Sequence, residues 1–247
     1  MPRLLRTCLP LAIAAALCLP SPAAEAQHRR QAPAKPAPQA KHGPTPPPIA
    51  CAPTRLVGLD AGQARSINFW LKGQAQPGLV LHVEFSCKVD RTRIVVGLSH
   101  APADKEKDEP TKHTVYVLDL SLDPPPARLL RSNAITEPVV IVRPGGGMSL
   151  VFGEAVTEKG IALRAFRAVD LASASMQTLF ALPVGGSCGP GGPERILISA
   201  EAALVDVGDN GPYGLAIGHE DNDCKTGKPD KRTDTFVAVP DGFEELK

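Results

Sequence analysis

Two stretches carry residues whose types and spacing can do chemistry. Gly185-Gly186-Ser187-Cys188-Gly189 matches G-x-S-x-G, the elbow that exposes a nucleophilic serine on a sharp strand-to-helix turn. Asp206 and His219 follow in acid-then-histidine order. The next residues, Pro190-Gly191-Gly192-Pro193, are a poor start for a helix, and Ser187 adjoins a cysteine. The stretch therefore predicts a loop, and no catalytic residue is assigned. The second stretch is His219-Glu220-Asp221-Asn222-Asp223-Cys224 with Asp230 and Asp234, the densest set of metal-type ligands in the chain. Oxygen-rich loops hold calcium, with Asp221, Asp223 and Asp230 as the candidate ligands. A twelve-residue calcium loop starting at Asp221 would need glycine at its sixth position, where Thr226 stands, and Lys225 fills a ligand position. Asp, Asn and Gly also build turns on their own. Turn chemistry with no metal and no cofactor is the expectation, and a calcium-stabilised structural module is the alternative. His82 and Cys87 repeat the offset of His219 and Cys224, a zinc-type pattern that requires free thiols.

The thiols are better read as disulfides. Residues 1–26 have the layout of a secretory signal peptide: Arg3 and Arg6, an apolar run from Leu9 to Leu19, and the cleavage site Ala24-Glu25-Ala26. Removing them takes Cys8 and Cys18 away and leaves Cys51, Cys87, Cys188 and Cys224 in an oxidising compartment, where an even count reads as two bridges. Four cysteines allow three pairings. Cys51 and Cys87 are as far apart in sequence as Cys188 and Cys224, which favours sequential pairing. Each such loop stabilises by roughly 4 kcal/mol in the chain-entropy account. No later stretch is long and apolar enough to span a membrane, so no integral segment is expected in the mature chain.

Residues 27–50 are rich in Pro and Ala and contain no acid. Proline fixes φ and removes the backbone donor, so this stretch reads as a disordered polyproline-type linker of up to roughly 70 Å. Residues 51–247 are then one domain. Six of the 27 basic residues but one of the 26 acidic ones lie in the first 50 positions, which leaves the domain at −4. That sign, with aromatics at only 4%, argues against nucleic acid, whose phosphates favour a basic surface and whose bases need stacking platforms.

The elements that must position these residues are strands. Leu79, Leu81, Val83 and Phe85 alternate with His82 and Glu84, and Ile67, Phe69 and Leu71 alternate in the same way. Further strands are expected at 94–98, 114–120, 139–142, 149–152, 161–169, 178–182, 196–199, 203–207, 214–218 and 235–239. Gly/Pro turns separate them, Gly145–Gly147 among them as a hairpin turn. Helix is expected only as short turns at 171–176 and 201–204. The fold class is all-β: an antiparallel meander arranged as propeller-like blades or as a two-sheet sandwich.

Val115-Tyr116-Val117-Leu118-Asp119-Leu120 is followed by Leu129-Leu130, and Arg164–Leu171, which ends in Asp170-Leu171, by Leu179-Phe180. This order of apolar strand, Asp-Leu, turn and return strand resembles the blades of bacterial envelope β-propeller-like repeat proteins over about 70 residues. Asp206-Val207-Gly208-Asp209-Asn210-Gly211 resembles the loops of integrin-type calcium propeller repeats, without their regular Asp spacing. The functional expectation is an exported, non-catalytic β-rich binding or interaction module of the cell envelope, periplasmic or secreted, whose partner is an unidentified envelope protein or ligand. A hydrolase-like enzyme with an unrecognised site is the competing class.

Overall fold

The computed structural model describes residues 45–104, 110–208 and 212–247. The expected signal peptide, the expected linker up to residue 44 and Asp209-Asn210-Gly211 of the propeller-type loop lie outside them. Within the described residues the chain begins as strand before the expected boundary at 51. β1 (Ile49–Ala50) pairs with Val140 and Val139, and β2 (Ala52–Pro53) follows directly.

Helix α1 (Ala61–Gln74) corrects the expected strand at 67–71. Asp60 accepts a hydrogen bond from the Gln63 amide at 2.8 Å, and the Gln63 side chain accepts from the Asp60 amide at 3.4 Å. This reciprocal cap satisfies two of the free donors at the helix start. Ile67 and Trp70, three residues apart, turn inward, whereas Phe69 is 67% exposed. The apparent alternation of Ile67, Phe69 and Leu71 is thus a coincidence laid over a helical period. Of the two short helical turns expected, 171–176 is a tight turn running into a strand, and 201–204 lies inside one.

Twelve longer strands follow: β3 (Leu79–Lys88), β4 (Arg93–Pro102), β5 (Lys112–Asp119), β6 (Ala127–Arg131), β7 (Ile135–Val142), β8 (Met148–Glu158), β9 (Ile161–Asp170), β10 (Met176–Pro183), β11 (Arg195–Asp206), β12 (Tyr213–Asp223), β13 (Lys228–Val239) and β14 (Gly242–Leu246). They form three antiparallel meanders. The first sheet runs β2-β3-β4-β5-β6, the middle sheet β1-β7-β8-β9-β10 and the third β11-β12-β13-β14. The protein is therefore all-β and built as a meander, with three sheets where a sandwich has two.

The layers follow from the alternation of side chains along each strand. α1 covers one face of the first sheet through Ile67 and Trp70 against Ile94, Val96, Leu98 and Leu118, with Trp70 edge-on to Tyr116 at 5.3 Å. The opposite face, with Cys87, Val95 and Val117, meets Val140, Leu150, Phe152 and Val169 of the middle sheet. The middle sheet's other face, with Ile141, Val151, Phe166 and Phe180, meets Leu215, Ile217 and Phe236 of the third. Being covered on both sides, the middle sheet has continuous apolar runs at 139–142 and 150–152 rather than an alternating pattern.

The two Asp-Leu steps are hairpins at the same place in their sheets. Asp119 ends β5 and accepts hydrogen bonds from the Ser121 amide and hydroxyl at 2.9 and 2.6 Å. Asp170 ends β9 and accepts from the amides of Ala172 and Ser173 and from the Ser173 hydroxyl. The second Asp170 oxygen holds Arg143, whose guanidinium also donates to the Pro240 carbonyl at 3.0 Å and so ties the middle sheet to the third.

Burial alone would raise the pKa of Asp170, but the Ser173 hydrogen bonds, the Arg143 charge and the Ala172 amide outweigh it and hold the carboxyl below its ordinary 3.8. A carboxyl depressed on folding stabilises fully above its unfolded pKa, and that stabilisation is lost as pH falls through the folded value. Asp170→Asn is expected to cost about 1–2 kcal/mol at pH 7. The gap to the parent should narrow as pH falls below 3.8 and through the folded value, read as urea midpoints across a pH series.

Candidate functional site

Along β12 the residues Leu215, Ile217, His219 and Asp221 share the face turned to the middle sheet. The first two are core. Beyond them the row becomes polar. The His219 ring lies 4.8 Å from that of Phe180, its Nδ1 is 3.1 Å from Asp221 Oδ2, and its Nε2 is 3.2 Å from Asp234 Oδ2 on β13. Asp221 is fully buried and accepts from Arg195 Nη1 at 2.8 and 3.0 Å. Arg195, on β11, also reaches Asp230 at 3.4 Å, and Arg232 Nε donates to Asp230 at 2.7 Å. The result is a continuous chain, Asp234–His219–Asp221–Arg195–Asp230–Arg232, across three neighbouring strands.

The pairing register places these groups. Asp221 stands opposite Asp230 and Leu197, and His219 opposite Arg232 and Ala200. Two carboxylates facing each other across a ladder repel, and Arg195 removes that repulsion by binding both. Burial would lower the Arg195 pKa, but the Asp221 hydrogen bond and charge, reinforced by Asp230, raise it above its ordinary value. The Arg232 hydrogen bond, aided by Arg195, holds the Asp230 carboxyl below the usual range.

The structure thus brings together four members of the sequence cluster, His219, Asp221, Asp230 and Asp234. It leaves Asp223 out: this side chain caps the β12–β13 turn by accepting from the amides of Lys225 and Thr226 at 2.8 and 3.3 Å. Arg195 and Arg232 are the functional-type groups that the sequence reading missed. Arg232, two residues from Asp230, was within reach of a strand-period argument. Arg195 was not, because only the β11–β12 register brings it to Asp221.

The arrangement limits the chemistry. Both ring nitrogens of His219 face carboxylates, so neither is turned to a hydroxyl as a general base must be. Ser187 lies in an exposed irregular loop after β10 with no helix behind it. Asp206 pairs with Tyr213, six residues along β12 from His219, a separation of about 20 Å. Ser187, Asp206 and His219 therefore do not form a triad. Among the described residues no three or more His, Cys, Asp or Glu side chains are grouped to hold a metal ion.

All four cysteines among the described residues are bonded, Cys51 to Cys87 and Cys188 to Cys224, with Cα separations of 4.4 and 5.1 Å. The zinc pattern built on Cys87 and Cys224 therefore has no thiolates. The second bridge ties the loop after β10 to the turn after β12, beside the polar row.

A second buried ion cluster joins two sheets. Glu154 of β8 is fully buried and accepts from Arg131 Nε and Nη2, each at 2.8 Å, while Arg167 of β9 contacts both Glu154 and Glu158.

Three open concavities border these elements. One of about 320 Å³ lies where the first and middle sheets meet, between Arg93, Asp119, Arg128 and Leu171. One of about 260 Å³ is mostly apolar and lies between the middle and third sheets, lined by Val139, Val151, Phe166, Ala202, Leu204 and Leu215, with Glu137 beside them. One of about 380 Å³ runs over the third sheet past Ser199, Glu201, Glu220, Lys231, Arg232 and His219. No protein-family profile, no curated protein and no solved structure matches the chain.

Asp221→Ala leaves Arg195 and His219 each short of a partner and is expected to cost about 3 kcal/mol in urea denaturation. Asp223→Ala undoes only a turn cap and should cost about 1 kcal/mol or less. Millimolar calcium should leave both melting temperatures where it leaves the parent's, unshifted, because the carboxylates are already taken up by arginine.

Proposed function

We propose that this protein is an exported, non-catalytic β-rich binding or interaction module of the cell envelope, held in the periplasm or secreted on its Pro-rich linker. One observation carries the reading. The histidine of the densest reactive cluster has an acid on each ring nitrogen, and the acids around it are bound by arginine. Side chains arranged to neutralise one another hold strands together and leave nothing aimed at a substrate atom. Recognition then falls to sheet edges, loops and shallow grooves, the surfaces β modules use for binding.

The two disulfides support an oxidising destination. Among the described residues no helix is long and apolar enough to cross a membrane, a statement that does not bear on β-barrels.

The competing reading, a hydrolase, draws on the 380 Å³ groove that reaches His219. The processed protein, assayed against ester, phosphoester, glycoside and peptide substrates, should show no turnover above the uncatalysed rate. Turnover that His219→Gln abolishes, in a variant that keeps its circular dichroism spectrum, would establish the enzyme instead. For the binding reading, a component retained from envelope extract should bind saturably once purified, and equally to the Ser187→Ala variant.

A further inference from the structure

The third sheet ends in β11, a twelve-residue strand whose outer edge pairs with no strand among the described residues. Four of the other five sheet edges are short or tied down, and the fifth, β10, ends in Pro183. β1 and β2 are two residues long and β6 is five. At β14, the Gln177 side chain of β10 donates to the Phe243 carbonyl at 2.7 Å and accepts from its amide at 3.0 Å. Natural edges are usually blunted by Lys, Pro or inward charge. Between Ile196 and Val205, β11 has no Pro and no Lys, and Glu201 is its sole charge. Ile198 is 59% and Leu204 46% exposed, and the apolar concavity of about 260 Å³ is bordered by Ala202 and Leu204 on this same strand.

We propose that β11 pairs antiparallel with β11 of a second copy of this chain about a two-fold axis at Ala202, joining two four-stranded sheets into one of eight strands. The occupant is argued from the strand's own register. A bulge falls between Leu197 and Ser199, so regular alternation runs from Ser199 onward. In an antiparallel pair, opposite residues point to the same face, which requires the axis to pass through a residue. An axis at Ala200 drives the bulge into the pairing. At Glu201 it sets two like charges against each other, and at Ala203 it turns Asp206 onto the inner face beside Ala200 of the other copy.

At Ala202 the stretch Ser199–Val205 pairs without any of this, and Ile198 and Asp206 fall just beyond its ends. Ser199 meets Val205, Ala200 meets Leu204, and Glu201 meets Ala203, each pair occurring twice. Leu204 is then covered on the inner face and the apolar concavities of both copies gain a wall. This inference does not depend on the functional reading above.

Ala203 is exposed and stands opposite Ala216, away from the core face, so charge placed there tests the register without touching packing. The processed wild-type protein, Ala203→Glu and Ala203→Lys are compared by sedimentation equilibrium over a concentration series, with thermal melts confirming that each is folded. The wild type should form a dimer. Ala203→Glu sets two Glu–Glu contacts across the axis and should weaken it about tenfold, while Ala203→Lys sets two Glu–Lys contacts and should tighten it by a similar factor. A wild type that stays monomeric at every concentration overturns the proposal. So do two variants that shift the dimer in the same direction, or that leave it unshifted.

Discussion

The middle sheet has no wet face, and the rest of the molecule is arranged around that constraint. A sheet buried on one side tolerates polar residues at alternate positions; this one can place none between Val139 and Val142. Its two faces need two covers, and the first and third sheets supply them. The first sheet then has an outward apolar face of its own, which α1 covers with Ile67 and Trp70. The third sheet's outer face carries Ser199, Glu201, Gly218, Glu220, Lys231 and Thr233, small or polar residues suited to water, and the stack stops there.

Charge enters this stack as paired clusters of acid and arginine. Glu154 of β8 meets Arg131 of the first sheet and Arg167 of β9, and Asp221 of β12 meets Arg195 of β11. Each buried carboxylate is answered by arginine from another strand. Exchanging such a pair for apolar side chains need not weaken a protein, whereas removing one member of it does. These clusters therefore fix which strand ends lie together more than they add to net stability. Arg143 does the same at the opposite seam, reaching from Asp170 to the Pro240 carbonyl.

Strand positions were legible because their signals are local. Period-two alternation marked β3, and apolar runs bounded by Gly and Pro marked β4, β5, β8 and β9. The Pro144–Gly147 turn falls between β7 and β8 as expected, with Gly145 and Gly146 at φ +87 and +86°. The helix was misread because five residues satisfied a strand pattern while the capping signal, Asp60 with Gln63, lay upstream. β11 was split in two because its bulge and its small residues interrupt the apolar pattern. For the polar row, His219, Asp221, Asp230 and Asp234 could be grouped from sequence, since β12 and β13 are joined by a short turn. Arg195 could not, because its partner lies 26 positions away across the disulfide-bonded loop.

The chain's entry into the fold has a mechanical consequence. Ile49 and Ala50 are bound to the middle sheet, Ala52 and Pro53 to the first, and Cys51 between them is linked covalently to Cys87 in β3. Tension arriving from the N-terminal side can peel away only two residues before it meets that sulfur link. From there the load passes into the interior of the first sheet, so a pull from that side does not unzip the body strand by strand.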